Sequence, residues 1–284
     1  MPSIPYDPTK QALLSPGDRP SLFLEPERLD RSSLPAVCAE CSRLAYVEFE
    51  ASTSERDRLA QALAAADISG LKTFDDTATD TQAFGAICKN GDVLVAFRGT
   101  EPKKLLDLKA DVWATTRGWQ FGGRVHVGFL NCFLAVESAL DAFIQAHLGT
   151  GRLVVTGHSL GAALATLSAS RWRGAKLVTF GSPRVGDVDF VATVSDVDVQ
   201  RFVNCCDAVT TVPPELLAGY THCGDLCYID EAGLLQPSVT QPPSFGARTK
   251  LELQFFVRHA LKPANVKVRS LADHAPINYI RAFT

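Results

Sequence analysis

The sequence has no excess of basic residues, no long apolar run and no apolar segment behind a basic start. It holds 28 Lys and Arg against 31 Asp and Glu in 284 residues, a formal net charge of −3, which argues against nucleic acid as a partner. No uninterrupted apolar stretch is long enough to span a bilayer, so any contact with a lipid interface should be peripheral. Residues 1–7 do not resemble a secretory signal, which predicts a cytoplasmic protein, or a secreted one if a signal has been removed.

The order of apolar patterns along the chain predicts an α/β fold. Strands are predicted at 71–74, 83–88, 93–97, 153–155, 177–180, 199–203 and 226–229. Helices are predicted at 33–47, 54–66, 129–147, 159–172 and 276–283. Such alternation predicts a largely parallel central sheet covered by helices on both faces. With 46% hydrophobic residues the chain is expected to form one domain over 1–284, which includes an irregular, proline-rich N-terminal arm at about 1–31.

Eight cysteines are present, and we expect reduced, mostly buried thiols in a chain of this length without a signal. The spacings Cys38-x-x-Cys41 and Cys223-x-x-x-Cys227 are compatible with a four-thiolate zinc site. The first pair, however, lies in a run with helical spacing, where packing is the simpler interpretation. The sequence also lacks H-E-x-x-H and clustered His and carboxylate ligands. We therefore predict neither a metal nor a cofactor.

One heptapeptide carries a chemical signature, VTGHSLG at residues 155–161. A serine at a sharp strand-to-helix turn projects its hydroxyl clear of the sheet, and glycine-sized neighbours such as Gly157 and Gly161 allow so tight a turn. The pattern G-x-S-x-G also occurs by chance. Here a predicted strand precedes it and a predicted helix follows, which is the context of a nucleophile elbow. The segment predicts that Ser159 is the nucleophile of a hydrolase.

A serine nucleophile needs a histidine base and a carboxylate that orients it. In an α/β-hydrolase the acid and then the histidine follow the serine, on loops at the carboxyl ends of later strands. Asp207 comes directly after a predicted strand and is the predicted acid. Other acids lie in or before a helical stretch and are expected to be surface charges: Asp187, Asp189, Asp196 and Asp198. His274, on a loop before the final helix, is the predicted base, with His259 as its rival.

Several further motifs follow one another in a fixed order. They are FRGT at 97–100, VHVGF at 125–129, GHSLG at 157–161, FGSPRVG at 180–186, Asn204 with Asp207, and Asp273-His274 with Tyr279. Together they resemble the class 3 lipases of the fungal triacylglycerol-lipase type, over roughly residues 80–284. The resemblance implies an α/β-hydrolase fold and the same triad that chain order selects. It also implies that Thr100 and Leu160 supply the backbone N–H groups of an oxyanion hole.

This oxyanion hole has a physical basis as well. Leu160 follows the nucleophile directly, and Thr100 ends a strand at a loop that can face it. Losing one preorganised donor of this kind costs about 3 kcal/mol of barrier lowering. The hydroxyl of Thr100 is a candidate third donor.

The stretch between Thr100 and Val125, where the resembling family carries its lid, has apolar residues near helical spacing. They are Leu105, Leu108, Val112 and Trp113, with charged residues opposite. An amphipathic lid covers the serine in water and turns its apolar face outward at a lipid surface, but an ordinary packed surface helix has the same pattern. A second candidate substrate contact is the insertion 236–269, where Phe255 and Phe256 are expected to wall an acyl pocket beside His274.

The leading hypothesis is a carboxylic-ester hydrolase, a lipase that cleaves acylglycerol esters through an acyl-enzyme intermediate. An esterase for short-chain or aryl esters and a phospholipase share the same triad and stay open as alternatives. A catalytically inactive scaffold is disfavoured because a complete triad and oxyanion hole would be odd in one. A lipid or small ester is the expected substrate, and the sequence indicates no oligomeric state.

Overall fold

A mixed sheet of eight strands forms the centre of the fold in the computed structural model, which describes residues 3–100, 115–216 and 218–284. The strands are β1 (Ile68–Asp76), β2 (Thr81–Cys88), β3 (Val93–Phe97), β6 (Leu153–His158), β7 (Lys176–Phe180), β8 (Asp198–Asn204), β9 (Asp225–Ile229) and β10 (Leu235–Gln236). They are arranged in the order β1-β2-β3-β6-β7-β8-β9-β10. A separate hairpin pairs β4 (Thr116–Gly118) with β5 (Arg124–His126).

The middle of the sheet is parallel and its edges are antiparallel. Neighbouring strands from β3 to β9 pair in parallel, whereas β1 with β2, β2 with β3, and β9 with β10 pair antiparallel. In a parallel sheet the carboxyl ends of the strands lie at one edge, where ligand sites of open α/β folds form. The predicted largely parallel α/β sheet is confirmed.

Helices cover both faces of the sheet. Those in the described residues are α1 (Lys10–Leu14), α2 (Leu34–Leu44), α3 (Thr53–Ala64), α4 (Val127–His147), α5 (Leu160–Ala169), α6 (Val188–Ala192), α7 (Phe245–Phe255), α8 (Arg269–Ala272) and α9 (Pro276–Ile280). Strand β3 shows how its sequence divides the core: Leu94 and Ala96 belong to the layer of α2, α3 and α9. Val93, Val95 and Phe97 belong to the layer of α4 and α5, as the alternation of side chains along a strand requires.

Helix α4 is long and apolar enough, by length and composition alone, to cross a membrane. Its apolar side chains Phe133 and Leu140 are fully buried against the sheet layer. Its acidic side chains Glu137 and Asp141 both pair with Arg171, which follows α5. These contacts are those of a core helix in a globular domain.

The N-terminal arm, predicted to be irregular, contains short helices and packs into the core. Besides α1 it forms 3₁₀ turns at Pro16–Asp18 and Leu22–Leu24. The side chain of Thr9 caps α1 by accepting the N–H of Ala12, and Phe23 is almost fully buried. The prolines that punctuate this segment limit its helices to one or two turns, so no helical period is visible in the sequence.

The arm also pairs with the end of the chain. The backbone N–H of Asp7 donates to Asn278 Oδ1 at 2.9 Å, and Asn278 Nδ2 donates to the Asp7 carbonyl at 2.7 Å. One residue earlier, the Tyr6 hydroxyl donates to Asp273 Oδ1 at 2.7 Å. The arm therefore supports the C-terminal loop that carries His274.

Candidate active site

The turn between β6 and α5 is a nucleophile elbow with Ser159 at its tip. Ser159 has φ 59°, in the left-handed region where a side chain is strained. A Cβ atom at Gly157 would lie 2.3 Å from the carbonyl group of Gly161, and one at Gly161 would lie 2.3 Å from the carbonyl oxygen of Phe97. The positions two residues before and two residues after the serine are thus glycine because the backbone of the helix rests directly on the strands.

Ser159, His274 and Asp207 form one hydrogen-bonded row. His274 Nε2 lies 3.0 Å from Ser159 Oγ, and His274 Nδ1 lies 2.8 Å from Asp207 Oδ2. All three side chains are buried. If Nδ1 carries the proton and donates it to the carboxylate, Nε2 is free to accept the serine proton. The structure brings together the three residues that chain order selects.

The carboxylate of Asp207 has three hydrogen-bond donors. Besides His274, the Tyr279 hydroxyl donates to Oδ2 at 2.6 Å and the N–H of Val209 donates to Oδ1 at 2.8 Å. Burial and, to a smaller extent, the charge of Asp207 raise the pKa of Tyr279 well above its usual value, so the hydroxyl keeps its proton. Asp207 is therefore held in place by donors at both of its carboxylate oxygens.

Gly181 gives the acid and the histidine room to meet. It has φ 59°, and a Cβ atom there would lie 2.8 Å from Asp207 Oδ2 and 3.1 Å from His274 Nδ1. The sequence places Gly181 and Tyr279 in recurring motifs but gives neither of them a role. Both lie on elements distant in sequence from Asp207, so their contacts are visible only in the structure.

A buried carboxylate ties the two loops of the row together. Asp273 Oδ2 accepts the N–H of Cys206 at 3.0 Å and Nε of Arg269 at 2.9 Å, while Oδ1 accepts the hydroxyl of Tyr6. Burial raises the pKa of Asp273, and the Arg269 guanidinium acts in the opposite direction. Cys206 and Asp273 immediately precede the acid and the histidine, so this network fixes the distance between them.

A second histidine, His158, supports the loop of His274. Its Nε2–H donates to the His274 carbonyl oxygen at 2.7 Å, and its Nδ1 accepts the hydroxyl of Tyr46 at 2.8 Å. Burial, with a smaller contribution from His274, lowers the pKa of His158 well below its usual value. The ring is therefore neutral, with its proton on Nε2. The sequence shows His158 only as the variable position of G-x-S-x-G, so this role was missed.

Replacing His158 should change how stability depends on pH. Below pH 6.5 a histidine that is buried and neutral in the folded protein takes up a proton when the protein unfolds. Its full contribution to the free energy of unfolding is therefore present above about pH 6.5 and is lost as the pH falls. Between pH 7.5 and 5 the wild type should lose up to about 2 kcal/mol of unfolding free energy from this residue. His158→Gln should lack that loss, yet be less stable at pH 7.5 by roughly 1–3 kcal/mol because its hydrogen bonds are imperfect.

Urea unfolding at the two pH values measures this difference. His147→Gln, at the C-terminal end of α4, is the control for removal of a histidine. An acid loss of the same size in His158→Gln and in the wild type would contradict a neutral His158.

Donor groups stand free beside the elbow. Leu160 is the first residue of α5, so its N–H has no acceptor within the helix. Within the described part of the chain, the buried Thr100 hydroxyl has no hydrogen-bond partner. A Cβ atom at Gly99, the residue before it, would lie 2.6 Å from the His158 carbonyl oxygen. The loop after β3 thus lies directly against the elbow, as an oxyanion hole requires.

Comparison with known proteins points to one family. Residues 94–217 match the family model described as Lipase (class 3). Over this part, which is somewhat less than half of the chain, the sequence is similar to the class 3 lipases. It is 33% identical to the secreted mono- and diacylglycerol lipase A of Penicillium cyclopium over 158 residues. The aligned part covers 52% of this chain and 52% of that protein. To the lipase of Rhizomucor miehei it is 31% identical over 185 residues, which covers 58% of this chain and 49% of that protein. The chain thus spans about half the length of these curated relatives.

Solved structures give the same family resemblance in three dimensions. The Rhizomucor miehei triacylglyceride lipase aligns with a TM-score of 0.57 at 26% identity, over 72% of this chain and 80% of that one. A triacylglycerol lipase structure described as having a serine protease triad aligns with a TM-score of 0.60 over 86% of this chain. At 22% identity, that second likeness shows the fold alone.

The remaining predicted site residues lie elsewhere. Four of them fall outside the described residues: Leu105, Leu108, Val112 and Trp113. Phe255 is buried, with its ring centroid 4.9 Å from that of His259 and 6.5 Å from that of Tyr6. Phe256 is 54% exposed. Phe255 and Phe256 do not form the expected wall of an acyl pocket, because Phe255 faces the N-terminal arm and Phe256, directly after α7, faces solvent. His259 packs with Phe255, and His274 is the histidine that reaches Ser159.

All eight cysteines have free thiols. Cys38 and Cys41 lie on α2, on the buried side of the helix, and Cys227 lies on β9. Among the described residues, one group has donor atoms close enough together for a metal ion, formed by Cys205, Cys206 and Asp273. The carboxylate of this group is already bound by an arginine and a tyrosine, so it serves the loop network described above.

Proposed function

We propose that this protein is a class 3 lipase that hydrolyses carboxylic esters of lipids, with acylglycerols as the main substrate class. The observation that carries the proposal is the row in which Ser159 Oγ lies 3.0 Å from His274 Nε2 and His274 Nδ1 lies 2.8 Å from Asp207 Oδ2. The names of the relatives, a mono- and diacylglycerol lipase and a triacylglyceride lipase, support acylglycerols as the ester.

The first half of the reaction is acylation of the serine. His274 Nε2 takes the proton of Ser159 as Oγ attacks the ester carbonyl carbon. The oxyanion that develops is bound by the N–H groups of Thr100 and Leu160, with the Thr100 hydroxyl as a third donor. His274 then gives its proton to the departing alcohol oxygen, the C–O bond breaks, and the acyl group stays on Ser159.

The second half restores the enzyme. A water molecule gives a proton to His274 Nε2 and attacks the acyl carbon, and the same donors bind the second oxyanion. When this intermediate collapses, Ser159 Oγ regains the proton and the fatty acid leaves. Asp207 holds the positive imidazolium in both halves, and its bonds to Tyr279 and Val209 keep it aligned without reorganisation.

The secreted location has better support than the cytoplasmic one. The N-terminal sequence predicts a cytoplasmic protein, or a secreted one after removal of a signal. Relatives of this chain from Penicillium cyclopium and Fusarium solani are named secreted lipases. These names support a secreted protein and give no support to a cytoplasmic one. We infer that the protein acts outside the cell.

Substrate profiling tests the proposal. The purified protein should release fatty acid from emulsified monoacylglycerol and diacylglycerol, measured by titration at constant pH. On nitrophenyl esters the rate should rise with acyl length beyond butyrate, by up to about fourfold for each additional buried methylene. Activity confined to acetate and butyrate would make the protein a short-chain esterase, and a preference for phosphatidylcholine would make it a phospholipase. Absence of all ester cleavage would refute the proposal.

A further inference from the structure

The segment 245–262 exposes an unusual amount of apolar surface. It consists of α7, a π-helical turn at Phe256–Ala260, and the two residues that follow. Its large apolar side chains are exposed as follows: Phe245 87%, Leu253 66%, Phe256 54%, Val257 72% and Leu261 83%. Soluble proteins rarely gather such side chains on one surface unless that surface meets a partner. We name this segment the docking helix.

The exposed apolar residues form one stripe. Leu253, Val257 and Leu261 follow one another at steps of four, the spacing of neighbours on a helix surface, and Phe245 lies at the start of the same helix. Over a long α-helix a strict four-residue step drifts around the axis. The π-helical turn holds more residues per turn, which opposes this drift between Leu253 and Leu261.

The opposite face of the docking helix already has its partners. Phe255 and Ala260 are buried on it. The carboxylate oxygens of Glu252 accept the N–H groups of Arg269, at 2.7 Å, and Ser270, at 2.8 Å. Arg248 Nη2 donates to the carbonyl oxygen of Asp207 at 3.3 Å. The helix therefore rests on the two loops that carry the acid and the histidine, and its exposed stripe is not a core face out of place.

Basic side chains follow the stripe. Lys250, Arg258 and Lys262 are exposed and spaced by eight and four positions, so they form a row along the same helix. The one acidic side chain of the segment, Glu252, is turned inward to the bonds just described. The whole chain has a net charge of −3, so the excess of positive charge on this segment is a local feature and not a consequence of overall composition. An apolar stripe with a cationic border matches a helix that lies in the plane of an anionic lipid surface.

We propose that the docking helix binds negatively charged lipid surfaces, with the apolar stripe among the acyl chains and the cationic row against the anionic headgroups. As a means of delivering substrate, this inference rests on the proposed function, since the helix would seat the lipid surface beside His274. A second copy of this chain is a poorer occupant. In a two-fold symmetric contact between stripes, the cationic rows of both copies would come together and repel each other.

Binding is tested without catalysis. The full chain carrying Ser159→Ala is centrifuged with vesicles of phosphatidylcholine alone or with about one-third phosphatidylglycerol, a share that gives an anionic surface. Binding should be strong only to the anionic vesicles. Adding Leu253→Ser and Val257→Ser should weaken it at least tenfold, and Lys250→Glu with Arg258→Glu should remove the preference for anionic vesicles. The matched control is Val188→Ser with Leu216→Ser, two apolar side chains outside the docking helix that are at least as exposed as Leu253, and this variant should bind like the parent.

Each outcome bears on the inference separately from the function. The substituted side chains are exposed, so all variants should unfold at the same temperature. When Ser159 is kept, the same substitutions should leave the cleavage of soluble nitrophenyl butyrate at the wild-type rate. Equal vesicle binding by the stripe variant and the parent would overturn the proposal. So would a dimer in sedimentation velocity that the stripe variant breaks. A protein that binds vesicles as described but cleaves no ester would refute only the proposed function.

Discussion

Ser159→Ala is expected to lower ester hydrolysis by about 10⁴-fold or more and to leave the fold unchanged. The Oγ atom is the group that forms the bond to the acyl carbon, and no neighbouring side chain replaces it. Its hydrogen bond is to His274, at 3.0 Å, so its removal leaves the packing of the elbow intact. Alanine occupies the same φ of 59° as serine with similar strain, so the unfolding temperature should stay within a few degrees of the wild type.

The measurement is kcat/KM on nitrophenyl butyrate, together with thermal unfolding. Ser168→Ala is the matched control, since Ser168 is buried on α5 and its hydroxyl has no partner among the residues that the structure describes. It should keep nearly full activity. More than a tenth of wild-type activity in Ser159→Ala would mean that another residue is the nucleophile.

His274→Ala should lose about 10³-fold or more of the activity, and His259→Ala less than about threefold. His274 alone of the two bridges Ser159 and Asp207, whereas His259 packs with Phe255 within the docking helix. Because burial and nearby cations lower the pKa of His259, that ring is a neutral packing group near pH 7. Its removal should cost stability more than rate.

The two variants are compared by kcat on the same soluble ester and by urea unfolding. Exogenous imidazole should partly restore His274→Ala, because it can occupy the space of the missing ring. If the two variants exchanged ranks, the loop between Asp207 and the end of the chain would place the wrong histidine at the serine.

The order of strands and helices was predictable because each element has a regular apolar period. The predicted helix at 129–147 begins two residues earlier, at Val127, since His126 caps it by accepting the N–H of Phe129. Strand β1 is nine residues long, although only 71–74 was predicted, because exposed polar residues such as Lys72 and Asp75 interrupt the apolar alternation of its sequence. The helices of the N-terminal arm were not predicted, since one or two turns between prolines carry no period.

The candidate triad was predictable because the mechanism requires a fixed chain order and leaves one acid and two histidines to weigh. Its supports were not. Tyr46 reaches His158 across 112 positions, and Tyr6 reaches Asp273 across 267. Such contacts depend on how distant elements pack, and a lone tyrosine in a helix end or an arm gives no sign of its partner. Phe255 and Phe256 were predicted to wall a pocket because the sequence shows a cluster of apolar residues but not which of them is buried.

The pairing of the arm with the chain end determines when the site is completed during synthesis. Asp7 and Asn278 are joined by two hydrogen bonds across 271 positions. Tyr6 and Asp7 leave the ribosome long before Asp273 and Asn278, so they have no partners while the sheet is being made. The elbow with Ser159 can form once the central strands have emerged, but the loop of His274 gains this support only after Asn278 has emerged. A nascent chain that stops short of Asn278 should therefore hold a nucleophile without a supported base.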